Sequence, residues 1–229
     1  DTLLTDLIAN YSSDLLGHKV VRDFGLQFPI LIKFLDAAAN LSIQVHPNDR
    51  LAKERHNSLG KNEMWYVMDA TPEASLIVGF TPEMTPEKYQ ECIANGTIEA
   101  FMEKHPVRSG DSFFIEAGTV HAIGAGILLA EIQQTSDITY RVYDFNRKDA
   151  QGNFRELHTE LAVDAINFKA DSQEKCVYTL KSNATNQIIA TPYFTTNYLP
   201  VQGEYHTNKF SQDSFKVYIC VQGSGKIQN

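Results

Sequence analysis

Two side chains two residues apart, Gln44 and His46, are where the chemistry of this chain begins. They lie in LSIQVHP, where Leu41, Ile43 and Val45 alternate with Ser42, Gln44 and His46. Alternation with a period of two predicts a strand, so the last three share its polar face. Pro47 ends it, because proline has no N–H to donate to a sheet ladder. Glu63 opens a second strand-like run, EMWYVMDA, and His121 follows the turn residues Glu116, Ala117 and Gly118. Two imidazoles, a carboxylate and an amide carbonyl form a donor set for a borderline divalent ion, zinc before iron, manganese or cobalt. Taken singly, a strand histidine is more often a hydrogen-bonded structural residue; the set as a whole points to metal. Catalysis there requires an open position for water or substrate.

The stretch from Gly110 to Phe145 adds charge to these ligands. Glu131 ends the apolar run Ile127–Ala130, and Arg141 follows ten residues later. A carboxylate at the end of a buried strand is suited to act as a base. A guanidinium can stabilise developing oxyanion charge or grip a phosphate through paired hydrogen bonds. Each has a structural competitor: an ion pair between Glu131 and Arg141 across a sheet, or Arg141 paired with Asp137 or Asp144. Together these residues suggest a metal site in a β-barrel with a charged pocket.

The elements that must position them can be read from periodicity and turn signals. Residues 1–16 have helical spacing at Leu3, Leu4, Leu7, Ile8 and Tyr11, and 31–35 is an apolar run. After the runs at 63–70 and 75–79, residues 85–104 read as helical, with Pro86 near the start, Pro106 beyond the end and Gly96 as a possible break. This helical region is expected to lie outside the barrel as an insertion. Strands are expected at 112–115, 119–123, 127–134 and 138–144. A helix follows at 158–168, with Thr159 as a candidate N-cap. Beyond a polar stretch at 171–175, further strands are expected at 176–180, 193–200 and 215–221. The predicted fold is mainly β: a metal-bearing barrel with helical additions over residues 1–170, then the beginning of a second barrel or sheet layer over 171–229. The run Lys216–Val221 enters a glycine turn with nothing after it to pair with, and the chain starts at Asp1 without methionine. Both features read as a piece of a longer protein.

Composition narrows the partners. The 229 residues are 43% hydrophobic and 21% charged, and can bury a sizeable core. A net charge of −8 argues against a nucleic-acid surface, which needs a basic face, but permits a local basic pocket for a small anion. Cys92, Cys176 and Cys220 form no CxxC pair and, being odd in number, no complete disulfide framework; a reducing cytoplasm is expected. No run reaches transmembrane length and no signal peptide is visible, so no membrane partner is expected.

The spacing Gly110-x5-Glu116-x-Gly118-x2-His121 resembles the second motif of the cupin superfamily, with Glu116 in place of the usual proline. Gln44-x-His46 resembles the first motif with its first histidine changed to glutamine, its glutamate displaced to Glu63. LSIQVHP, KNEMWYV, GTVHAIG and LLAEIQQTSDITYRVYDF, in that order between residues 30 and 165, resemble the type I phosphomannose isomerases in their short bacterial form. The resemblance implies a cupin (jelly-roll) barrel with helical insertions and the start of a second, metal-free cupin-like barrel. It implies an isomerase that interconverts mannose 6-phosphate and fructose 6-phosphate by proton transfer through an enediol. One Zn2+ per chain would be held by Gln44, His46, Glu63 and His121. Lys61 and Arg141 would join Glu131 as catalytic residues, with Ser42 and Arg147 at the phosphate and Lys148 beside them. An alternative is a non-catalytic sugar-binding or regulatory metal cupin, against which the set Lys61, Glu131, Arg141 and Arg147 argues. An iron-dependent oxygenase is disfavoured by the lack of a close His-x-His pair followed by a nearby glutamate. His18, His56, His105, His158 and His206 lack motif context and read as surface or structural; the loop after His56 leads to Lys61.

Overall fold

The alternating strands sort their side chains between two sheets that face one another. The computed structural model describes residues 2–81, 84–169, 175–207 and 213–228. Two helices come first, α1 (Leu4–Leu16) and α2 (His18–Phe24). Strands β1 (Ile30–Ala37) and β2 (Ile43–Val45), helix α3 (Asp49–His56), and strands β3 (Glu63–Ala70) and β4 (Ser75–Phe80) follow. Helix α4 (Pro86–Asn95) leads to β5 (Met102–Pro106), β6 (Ser112–Ile115), β7 (His121–Ile123), β8 (Ile127–Gln134) and β9 (Tyr140–Tyr143). The remainder holds α5 (Thr159–Ala165) and a hairpin, β10 (Asn186–Ala190) and β11 (Thr195–Tyr198).

One sheet has the order β1-β8-β3-β6 and the other β5-β4-β7-β2-β9, and every pairing is antiparallel. Between them lies a core of Trp65, Val67, Phe113 and Leu129 from the first sheet against Leu76, Val78 and Ile123 from the second. The outer face of the five-stranded sheet, with Ile43, Val45, Ala122, Tyr140 and Val142, packs against Tyr89 and Cys92 of α4 and Ala162 of α5. The outer face of the four-stranded sheet, with Met64, Ala130 and Ile132, is covered by the hairpin through Ile188, Ile189 and Tyr198. Tyr66 stacks on Tyr198 with ring centroids 5.6 Å apart. Each sheet is therefore apolar on both faces, which is why its strands carry so few outward charges. Among the described residues the sheets form a sandwich and do not close into a barrel.

Some elements differ from the sequence expectation. Residues 102–104, expected to be helical, belong to β5, which pairs with β4 at the edge of the five-stranded sheet. The helix ends at Gly96, whose φ of +67° caps it in a left-handed turn. Only the first part of the presumed insertion thus lies outside the sheets. Residues 176–180 and 215–221, expected as strands, are irregular, although Cys176 N–H donates to Ser112 O (2.8 Å). A β-rich segment becomes a strand only when a partner ladder is available. The boundary expected between 170 and 171, and most of the polar stretch 171–175, lie outside the described residues. Among the described residues no helix is long and apolar enough to cross a membrane.

The turn before β7 sets the position of His121. Gly118 has φ +96°, and a Cβ there would come within 3.0 Å of Ala165 O. Its N–H donates to His46 O (2.9 Å), tying the turn to the end of β2. Gly118→Ala combines a backbone conformation disfavoured for L side chains with this crowding. It should cost about 1–3 kcal/mol, visible as a fall of several degrees in Tm.

Candidate metal centre

The polar residues of the sandwich interior collect at one end. His46, one residue beyond β2, and His121 on β7 come from the five-stranded sheet; Glu63 opens β3 of the other. All three are buried, and one ligand atom from each lies within 4.8 Å of the others. The Nδ1 of His46 faces Ile138 O (2.9 Å), and that of His121 faces Thr119 O (2.8 Å). A carbonyl can only accept, so each ring carries its proton on Nδ1 and turns the Nε2 lone pair toward Glu63. Those nitrogens stand 3.4 Å (His46) and 3.3 Å (His121) from the Glu63 oxygens.

Lone pair facing carboxylate is repulsive unless a cation lies between them. Protonated imidazoles would provide one, but burial pushes both histidines down, His46 to about 4, despite the opposing pull of Glu63. Burial acts to raise Glu63, yet its carboxyl is held below the ordinary range by the imidazoles whenever they carry a proton and by the Lys61 ammonium. His46 Nε2 and both Glu63 oxygens are buried without a hydrogen-bond partner. Lys61 Nζ, itself buried, approaches only Oε2, at 3.2 Å. Two neutral imidazoles and a carboxylate left in this state are the donor set of a divalent metal site, and the residues present fit such an ion.

The other expected site residues fall in three places. Gln44 is opposite His121 in one ladder and opposite Arg141 in the next, so the three form a row across β7, β2 and β9. Its amide nitrogen lies 3.3 Å from His121 Nε2. Arg141 donates from Nη1 to Glu156 O (2.7 Å), while its Nε is buried without a partner. Ser42 is buried just before β2. Glu131 shares the inner face of the opposite sheet with Glu63 and is bonded by Lys33 Nζ (3.0 Å) and Trp65 Nε1 (3.1 Å). Trp65 in turn meets His121 edge-on, with ring centroids 5.4 Å apart.

The two competing ion pairs are not formed as expected. Glu131 pairs with Lys33, since Arg141 belongs to the other sheet. Asp144 pairs with Arg147 and Arg155. Burial raises the Asp144 carboxyl, but the two guanidinium groups outweigh it and hold it below the ordinary range. Arg147 also donates to Asn40 O, two residues before Ser42, so its guanidinium is tied to protein acceptors and not free in a solvated turn. Lys148 is exposed over the Phe154 ring. His56 bonds the Tyr140 hydroxyl (2.7 Å), and His158 Nδ1 accepts from the Arg141 N–H (3.1 Å).

Sequence reading missed Lys33 and Trp65. Lys33 sits between Leu31 and Leu35 on the inward face of β1 and also reaches Gln133 (2.6 Å). A lone cation at an inward position of an apolar strand was the available signal.

A sandwich of two antiparallel sheets with two histidines and a glutamate facing inward at one end defines a metal-site cupin. Comparison with known proteins narrows this. A family model for the phosphomannose isomerase type I catalytic domain matches residues 1–90. The mannose-6-phosphate isomerase of Streptococcus mutans is 41% identical over 202 residues, covering 87% of this chain and 63% of that protein. The mannose-6-phosphate isomerase ManA of Bacillus subtilis is 37% identical over 206 residues, covering 89% and 64%. A crystal structure of mannose 6-phosphate isomerase from Bacillus subtilis superposes with a TM-score of 0.70 at 34% identity, covering 78% of this chain and 58% of that one. A zinc-bound mannose 6-phosphate isomerase structure, 17% identical, shares the fold with a TM-score of 0.65, covering 85% and 68%. Over most of its length the chain is similar to type I phosphomannose isomerases. It spans just under two thirds of the length of the two bacterial relatives.

The buried histidines make the metal-free protein sensitive to acid. The unfolded chain binds a proton at His46 below about pH 6.5, whereas the folded chain does so only near 4. Stability is therefore lost as the pH falls through that window. Up to about 3 kcal/mol should disappear from this group alone. Thermal melts of metal-free protein from pH 7 to 4 check the slope, and His46→Gln should flatten it.

Proposed function

We propose that this chain is the metal-bearing part of an enzyme interconverting mannose 6-phosphate and fructose 6-phosphate, with one Zn2+ per chain. The observation that carries the proposal is the buried His46–Glu63–His121 cluster, with His46 Nε2 and both Glu63 oxygens unpartnered and His121 in one row with Gln44 and Arg141, in a chain similar to this family. His46, Glu63 and His121 would hold the ion. Gln44 would be a fourth ligand by turning its amide carbonyl inward once the His121 lone pair is occupied. When bound, the ion supplies electrophilic polarisation of the sugar oxygens.

The remaining steps fall to protein groups. Aldose–ketose isomerisation moves a proton between C1 and C2 through an enediol, so it needs a base and a cation for the developing charge. Glu131 is our candidate base, oriented by Lys33 and Trp65. Arg141, with its unpartnered Nε, is the candidate for stabilising enediolate charge, and Lys61 adds a buried ammonium beside the ligands. Ser42 and Arg147 would receive the phosphate, using remote binding energy to hold C1 and C2 in place. The three cysteines carry no disulfide, which supports a reducing cytoplasm as the working compartment.

The test is a coupled isomerase assay on purified, zinc-loaded protein with mannose 6-phosphate. Glu131→Gln should lower kcat by at least about 100-fold while zinc content is kept. Arg141→Ala should lower it by about 100- to 1000-fold, also with zinc retained. Normal turnover in either variant would remove that residue's role. Stoichiometric zinc without turnover in the wild type would favour a non-catalytic sugar-binding cupin.

A further inference from the structure

We propose that Tyr193, in the turn of the C-terminal hairpin, is a positioning residue for the metal centre, acting through Asp49 on the segment that delivers Glu63. The Tyr193 hydroxyl donates to Asp49 Oδ2 (2.7 Å). The other carboxylate oxygen, Oδ1, accepts from Gly60 N–H (2.8 Å) and from Gln134 Nε2 (3.1 Å). Gln134 Oε1 accepts from the backbone N–H of Asn62 (2.9 Å) and from its Nδ2 (2.6 Å). Asn62 Oδ1 accepts from Ala117 N–H (2.9 Å), in the turn that leads to His121. Through Gly60 directly, and through Gln134 and Asn62, this carboxylate links the hairpin to the segments that carry Glu63 and His121.

The geometry of the loop shows why such a tie is needed. Residues 57–62, between α3 and β3, carry no regular structure, yet they must deliver Lys61 and Glu63 in register. Gly60 lies so close to the start of α3 that a Cβ there would fall 2.4 Å from Asp49 N. Tyr193 is itself rigidly held. Thr191 Oγ1 accepts from the N–H groups of Tyr193 (3.1 Å) and Phe194 (3.0 Å), and Thr191 N–H donates to Phe194 O (3.0 Å). Burial first, and then the neighbouring Asp49, push the phenol up to about 12, so it remains a donor across the working pH range. Groups bonded directly to metal ligands commonly change affinity by about 10–100-fold when lost; Tyr193 acts further out, through Asp49, so the lower end of that range is expected.

The inference rests on the metal-site reading above, and the experiment separates the two. Dissociation constants for Zn2+ and Co2+ are measured by chelator competition on the wild type, Tyr193→Phe and Ile188→Ala. The Co2+ absorption spectrum and the metal-free Tm are recorded for each. Tyr193→Phe keeps the ring and removes one hydroxyl; Ile188→Ala weakens hairpin packing without touching Asp49. Tyr193→Phe should bind both ions about tenfold more weakly and alter the Co2+ spectrum. Ile188→Ala should lower Tm at least as much while leaving affinity within about twofold and the spectrum unchanged. Unchanged affinity and spectrum in Tyr193→Phe, or affinity losses that track Tm in both variants, would overturn the positioning role. A wild-type chain that binds neither ion would overturn the metal site itself.

Discussion

The structure depends on one buried carboxylate. Glu63 is completely enclosed, has two imidazole lone pairs pointed at it, and makes no hydrogen bond. An ion taken out of water costs several kcal/mol unless an opposite charge meets it. Lys61 meets part of this demand at one oxygen. The rest requires a cation at the point where the ligands converge. Since His46 and His121 come from one sheet and Glu63 from the other, a cation held there would also clamp the two sheets together at their polar end.

The interior is graded along the strands to suit this clamp. In the β1–β8 ladder, Ala37 faces Ile127 and Leu35 faces Leu129, and both pairs belong to the apolar core. Two residues on, Lys33 faces Glu131, and beyond that Gln133 lies opposite Glu63 on β3. The apolar end supplies burial energy, at about 25 cal/mol per Å2 removed from water. That stability lets the other end carry unsatisfied polar atoms. The helices and the hairpin seal the outer faces, so the sheets can be apolar on both sides and still bury ionisable groups between them.

Much of this was legible before any coordinates. The Gln44/His46 alternation, the Glu63 strand start and the Gly118–His121 turn each follow from local rules of period and turn chemistry, and they single out the three residues that the structure brings together. What could not be read depended on pairing between distant segments. Residues 102–104 have helical spacing but became strand because β4 offered an open edge. Residues 176–180 and 215–221 have strand composition but found no ladder. The Lys33–Glu131 pair was hidden because sequence spacing favoured Arg141 as the partner, whereas sheet order separates Glu131 from Arg141. Nothing in the sequence singles out Asp49; its bonds to Tyr193 and Gln134 come from segments far away in the chain.

The row His121, Gln44, Arg141 has a consequence of its own. Adjacent strands in a sheet lie about 4.8 Å apart, so two steps set roughly 10 Å between the backbones at its ends. That interval is fixed by main-chain hydrogen bonding and not by any side chain. Substitution can change the chemistry at either end of the row, but the distance between the ends cannot drift without unzipping a ladder. The sheet thus acts as a ruler that sets the spacing between His121 and Arg141 before any side-chain contact is made.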